Sequence, residues 1–456
     1  MEDVEMEVGK AQDSSAMSES ALPSLPHPGP SKGTWLHAGY HLTTGTAGAS
    51  TPNLPAALAG LGWGPGVFFL TMFAIASYYA YYLLILILDR FEKTGRRYQH
   101  YGEVSKELIG RRWTIYAVAP LQFVVCFTTV VSFVLLGGQS LKAICYDYSQ
   151  PSMSLRLPMF IVIFGIASTI LSQTPTFHSL RHLNLVSFVS SLAYAAIVVS
   201  GSIIAHYSKD KPIAVYSVLG SNRARVMNAF NALSILSTMF GNALVVETQA
   251  TISSPIKDNM VRGLHLCYVA TITTFFSVAI TGYWAFGNSS NSNIFLSMVS
   301  DIGTTYIPSW MFILGNLSMI VQLIAGSVLY SQPTFEIIDN CIQKKTHNYS
   351  QPIFFKIILR LILRTCFMML ATLLAAMLPF FGDFNAIVGA LGYMPLVFIY
   401  PIIFYLKFFE VPPLSVNFSI HLILLLIFAS ATIIGIFASI RQFILDENTF
   451  KIFANL

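Results

Sequence analysis

Charge is what this chain lacks most. Only 10% of its 456 residues are Asp, Glu, Lys or Arg, against 54% hydrophobic, and mean hydropathy is +0.63. A soluble domain carries about 25% charged residues, so this chain cannot cover a water-facing surface and reads as a polytopic membrane protein. Cysteine is also scarce. Cys126, Cys145, Cys267, Cys341 and Cys366 show no metal or redox spacing, and only Cys145 falls near an external loop, so no disulfide framework is indicated. No GxSxG, HExxH, phosphate-loop or kinase signature occurs, which leaves an enzymatic reading without support. The net charge of +5 would hint at nucleic acid in a soluble chain; here the basic residues are topology signals and no nucleic-acid partner is expected.

What is present is a succession of apolar segments, each near the ~20 residues needed to cross a bilayer. They fall at about 35–59, 64–88, 114–144, 158–176, 183–206, 227–250, 263–286, 307–330, 357–379, 384–407 and 415–440, which makes eleven helices. Residues 1–32 differ in kind. Glu2, Asp3, Glu5, Glu7, Asp13 and Glu19 stand among Ser and Pro with few large apolar residues, the composition of a disordered acidic tail. No signal peptide precedes the first span, so the tail is expected in the cytosol. That orientation places most of the 26 Lys and Arg residues inside, among them Arg90, Lys93, Arg96, Arg97, Lys106, Arg111, Arg112, Lys344 and Lys345. Asn288-Ser-Ser lies in an external loop and is compatible with a glycan. Within loop 89–113, YGEVSKELIG has the spacing of a short amphipathic helix on the cytosolic surface.

Two of the segments are poor continuous helices. In the first, Gly45, Gly48, Pro52 and Pro55 cluster among small residues. Gly costs about 1 kcal/mol and Pro about 3 in a helix interior. Lipid cannot satisfy the backbone groups that such breaks release, so this stretch must face protein or a water-filled cavity. A kinked helix packing closely through small residues is the alternative. The sixth segment has Gly241-Asn242 at mid-span, with Ser237, Thr238, Glu247, Thr248 and Gln249 around it. Interruptions in segments one and six are what a five-plus-five inverted repeat requires. The repeats would run from about 35–206 and 227–407, with 415–440 as an added helix. Amides around Gly48, Ala49, Ser50 and Thr51, followed by Asn53, offer a helix-start site for a carboxylate. Freed carbonyls near Phe240, Gly241 and Asn242, with Thr238, offer a site for an ammonium group, so a zwitterion fits the two breaks.

Glu247 is the one carboxylate well inside a span, with Asp383 near the outer end of segment ten. Ionisable groups in the bilayer mark ion or proton paths, and burial disfavours the charged form of a carboxylate, which suits reversible protonation. Equally open is a Glu at the cytosolic end of segment six that hydrogen-bonds loop backbone. Leu135-Leu136-Gly137-Gly138-Gln139 reads as close helix packing. His178, Arg181 and His182 read as lipid contacts or caps, and His37 with His41 matches a metal pair by spacing only, without an acidic or thiol partner.

The stretches SKGTWLHAGYHLTT (31–44), LGW (61–63), GGQSLK (137–142), SQTPTFHSLRHLN (172–184), FGNALVVETQATI (240–252), GYWAFGN (282–288), LPFFGDFNAIVGALGYMPL (378–396) and RQFILDENTFKIFANL (441–456) resemble the amino acid/auxin permease family, in its plant GABA-transporter branch. The resemblance covers the chain from residue 31 onward. It implies an all-α, LeuT-like fold of the APC superfamily, with about 11 transmembrane helices, helices 1 and 6 broken, and a transporter domain over 33–456. It also implies proton-coupled symport of small neutral or zwitterionic amino acids at the plasma membrane, GABA being the first expected substrate and proline the second. The proton gradient would drive transport without a cofactor, Glu247 carrying the proton. A non-transporting amino-acid sensor on the same scaffold is the competing reading. The family's LPYAF after the first break is here Leu54-Pro55-Ala56-Ala57-Leu58, with Pro52 added upstream; Val246 replaces a Pro, and Val397 an acid often found after Pro395-Leu396.

Overall fold

The computed structural model describes residues 33–47, 51–145, 156–173, 181–209, 211–218, 221–300, 304–347, 353–377 and 381–447. The acidic tail, Gly48, Ala49, Ser50 and His178 lie outside them. All described regular elements are helical apart from two isolated bridges, Gly33 with Ile252 and Val299 with Thr305.

In chain order the helices are α1 (Trp35–Thr46), α2 (Leu54–Leu61), α3 (Trp63–Lys93), α4 (Tyr101–Ile109), α5 (Arg111–Cys145), α6 (Leu157–Ser172) and α7 (Arg181–His206). They continue as α8 (Asn222–Met239), α9 (Val245–Ala250), α10 (Ile256–Phe286), α11 (Ser309–His347), α12 (Ile353–Met377), α13 (Gly382–Phe408) and α14 (Val416–Glu447). Eight of these are long and apolar enough to cross a membrane, and α6 is a shorter apolar helix. The pairs α1/α2 and α8/α9 are the two interrupted segments. The described fold is all-helical and polytopic, interrupted in the first and sixth segments as a five-plus-five inverted repeat requires.

The breaks form where the sequence weakens the helix. After Thr46 the chain leaves α1, and a single 3-10 turn, Thr51–Asn53, leads into α2. Pro55 sits in the first turn of α2, where its missing N–H is not needed. That helix stops at Gly62, whose φ of +80° is the left-handed conformation that glycine adopts without penalty. In the second break, Phe240 to Leu244 separate α8 from α9. Further along, Pro395 cannot donate in its turn, and α13 widens to a π-helix over Gly389–Ile399.

The core lies between these broken pairs and α3, α5, α10, α11 and α13. Gly137 and Gly138 let α5 close on Phe164 and Ile161 of α6, as close helix packing requires, and Gly326 of α11 seats against the Phe133 ring of α5. Side chains on α6, α12 and α14, such as Ile170, Met369, Leu426 and Ile433, point outward as an apolar rim. The amphipathic spacing of α4 is real, but Tyr101, Val104, Ser105 and Leu108 are buried against protein, with Tyr101 on Phe404, rather than laid on lipid.

Candidate functional site

In the first break, the carbonyls released by the end of α1 are taken up by side chains from α11. The Tyr330 hydroxyl donates to the Gly45 carbonyl at 2.7 Å, and the Gln322 amide donates to that of Ala47, which also accepts from the Thr51 hydroxyl at 3.2 Å. Asn53 is fully buried at the start of α2, and neither its amide nitrogen nor its oxygen meets a hydrogen-bonding partner among the described residues. Unsatisfied groups of this kind cost about 1–3 kcal/mol and are rare away from functional positions.

The second break is built around Tyr81 of α3. Its hydroxyl donates to the Phe240 carbonyl at 2.6 Å and accepts from the Asn242 N–H at 2.5 Å, spanning the gap where helical bonds stop. The Phe240 carbonyl, expected to be open to an ammonium group, is therefore already held. Asn242 joins the two breaks. Its side-chain nitrogen donates to the Leu42 carbonyl at 3.1 Å and to Thr46 Oγ1 at 3.3 Å, while its oxygen accepts from Leu244 N–H at 2.9 Å. Gly45 and Gly241 leave no room for side chains. A Cβ on Gly45 would stand 2.7 Å from the Asn242 amide, and one on Gly241 would overlap the Tyr393 ring. Thr238 donates to the Ile235 carbonyl at 2.7 Å and reaches the Asn385 carbonyl at 3.4 Å.

Several participants were not identified from the sequence. Tyr393 shares a hydrogen bond with Thr129 at 2.9 Å, and Ser132 donates to Asn385 Oδ1 at 3.2 Å, leaving the buried Asn385 Nδ2 without a partner among the described residues. The available signal was spacing: Thr129 and Ser132 lie three apart on α5, and Asn385 and Tyr393 eight apart on α13, each pair a polar stripe on an apolar helix.

Glu247, in the first turn of α9, is 2% exposed. Its Oε1 accepts from the Tyr101 N–H at 3.1 Å and from Gln122 Nε2 at 2.8 Å. Its Oε2 meets no hydrogen-bonding partner among the described residues. The two sequence readings thus meet in one side chain: one oxygen caps loop backbone at the start of α4, and the other stays unpartnered. Asp383 is half-buried in the first turn of the segment that begins α13. His37 Nδ1 lies 2.9 Å from Thr34 Oγ1, and His41 Nδ1 lies 2.8 Å from Asn184 Nδ2 on α7, so the two rings serve different contacts.

The face carrying α4 is fastened. Gly33 pairs with the loop after α9, donating to the Thr251 carbonyl at 3.2 Å and accepting from Ser253 N–H at 2.8 Å. Arg97 donates to the carbonyls of Gln249 at 3.2 Å, Ala250 at 3.3 Å and Ile252. Burial pulls the Arg97 guanidinium below its ordinary value, with Glu92 opposing.

Set beside known proteins, the chain is 39% identical over 427 residues to GABA transporter 1 of Arabidopsis thaliana, covering 93% of this chain and 94% of that one. It is 27% identical to lysine histidine transporter-like 1 of the same plant, covering 92% and 90%, and 28% identical to its amino acid permease 8, covering 96% and 97%. Among solved structures, a Na+-coupled sialic acid symporter in a substrate-bound outward-open state shares the fold. Its TM-score is 0.55 at 14% identity, covering 93% of this chain and 92% of that one. Residues 31–445 match the family described as transmembrane amino acid transporter protein, and the chain belongs to that family.

Proposed function

We propose that this protein is a proton-coupled symporter of small neutral or zwitterionic amino acids, with GABA as the leading substrate and proline as a second. The observation that carries the reading is Glu247, buried beside the second break with one oxygen fixed and the other unpartnered. A carboxylate so placed can take up a proton on its open oxygen without losing its hydrogen bonds. The first break supports a proton over a metal cation. Carbonyls at such a break can coordinate sodium, whereas here neutral donors, Tyr330 and Gln322, fill those of Gly45 and Ala47.

The substrate would lie between the breaks, its carboxylate toward the amides of 48–51 and its ammonium toward the carbonyls of Gly241 and Asn242 in the α8–α9 gap. Asn53, with both polar atoms of its amide, and Asn385, with its Nδ2, supply buried groups still without partners among the described residues. GABA is favoured by the name of the relative with 39% identity. The same reading places the protein in the plasma membrane with the α4 face and the acidic tail in the cytosol. Purified protein in vesicles, given labelled GABA and an imposed pH gradient, tests it: concentrative uptake is expected. Binding without uptake would replace the transporter with a sensor, and uptake that follows sodium instead of pH would remove the proton.

A further inference from the structure

Glu247 is not isolated from the α4 face. Tyr101, whose N–H it accepts, is preceded by His100, the residue that caps α4. His100 Nδ1 lies 3.4 Å from Glu336 Oε2 on α11. Exposure rises along this series: Glu247 is 2% exposed, and the side chains of His100 and Glu336 are 19% and 34% exposed. His100 also acts electrostatically on the Glu247 carboxylate. The other titratable groups nearby are Tyr101 and Cys126, both in the field of Glu247. Glu103 accepts from the His100 backbone N–H at 3.3 Å. His100 is thus 3.4 Å from one half-exposed carboxylate and next in sequence to the backbone N–H that holds the buried one.

We infer that His100 and Glu336 form the exit by which the proton carried on Glu247 reaches the α4 face, an inference that rests on the symport reading above. The O–H bond of protonated Glu247 breaks as its proton passes, through water admitted from the α4 face, to His100, where an N–H bond forms; the imidazolium then gives up a proton from Nδ1 to Glu336, 3.4 Å away, and so to bulk water. Glu247 is left as the carboxylate that Tyr101 and Gln122 already solvate. One proton moves and no other reactant is consumed. An imidazole suits the task because it exchanges protons near neutral pH.

Full-length protein in vesicles with the α4 face toward the lumen, a lumenal pH dye and labelled GABA provides the test. In His100→Gln and in Glu336→Gln, net uptake under a pH gradient and the accompanying acidification should slow by about a hundredfold, the lower end of what a positioned acid–base group contributes. GABA–GABA exchange should continue, and the final accumulation ratio should match wild type, because Glu247 still couples the two fluxes. Imidazole added to the lumen should restore the rate in His100→Gln and leave Glu247→Gln unchanged. Wild-type net uptake in both variants, or slow uptake that imidazole fails to rescue, would overturn the exit while leaving the symport reading standing. Should Glu247→Gln itself accumulate GABA under the gradient, the carrier assignment falls and the exit with it. Glu336→Gln, on a different helix, keeps the test decisive if His100→Gln folds poorly.

Discussion

The Tyr81 hydroxyl donates to the Phe240 carbonyl across the gap between α8 and α9, and the same oxygen accepts from Asn242 N–H. One side chain thus replaces two helical bonds at the point where the helix is interrupted. Tyr81→Phe removes that oxygen and leaves a buried donor and a buried acceptor. The cost should be about 1–3 kcal/mol, seen as a lower melting temperature of the detergent-solubilised protein. Transport should fall further than surface expression, since the geometry of the gap is lost. Unchanged melting and uptake would show that the hydroxyl is dispensable.

Gly241 faces the Tyr393 ring with no space for a Cβ. Gly241→Ala should push the α8–α9 gap away from α13 and break the contact of Tyr393 with Thr129. Overpacking of this kind costs about 1–3 kcal/mol. Uptake of labelled GABA should be largely lost at normal expression, and Gly241→Ala combined with Tyr393→Leu should recover part of it by opening room for the methyl group. No recovery in the double variant would place the defect in the backbone instead.

Both breaks were legible in the sequence because glycine and proline act locally: the helix that contains Gly45 ends one residue later, Pro52 lies in the 3-10 turn, Pro55 opens the next helix, and Gly241-Asn242 lies in the second gap. The partners were not legible, because they come from far away. Tyr81 is 159 residues from Phe240, Tyr101 is 146 from Glu247, and Tyr330 is 285 from Gly45. Periodicity reveals which face of a helix is polar, not which neighbour it meets. The same limit explains α4. Its amphipathic spacing was plain, but whether that face meets lipid or protein depends on α13 and on Glu247, neither of which is adjacent in sequence.

Arg97 ties the loop before α4 to three carbonyls at the end of α9 and beyond it, and Gly33 pairs with the same loop. Opening of the α4 face, which the symport reading requires, would break these contacts. Charged donors contribute about 1.5–3 kcal/mol per hydrogen bond, so Arg97→Ala should shift the conformational equilibrium toward a state open on that face. With the five native cysteines replaced by serine, a single cysteine introduced at the buried Thr248 should be alkylated faster by a polar maleimide in Arg97→Ala than with Arg97 intact. Equal labelling rates would mean that the Arg97 contacts do not hold the closed state.

Glu247→Gln keeps the size of the side chain and its Oε1 acceptor but cannot release a proton. With the membrane potential clamped at zero, one proton per substrate sets a ceiling of about tenfold accumulation per pH unit, since one unit is worth about 1.4 kcal/mol. Wild type should approach that ceiling. Glu247→Gln should equilibrate GABA without concentrating it, while exchange of internal for external GABA continues. A carboxylate that only capped the start of α4 would behave otherwise: the Gln oxygen still accepts from Tyr101 N–H, so accumulation would survive with at most reduced stability. Measuring both fluxes in the same vesicles separates the two roles, because only loss of the gradient-driven flux with exchange retained assigns the proton to Glu247. Accumulation at the wild-type ratio would move the search to Asp383 on α13.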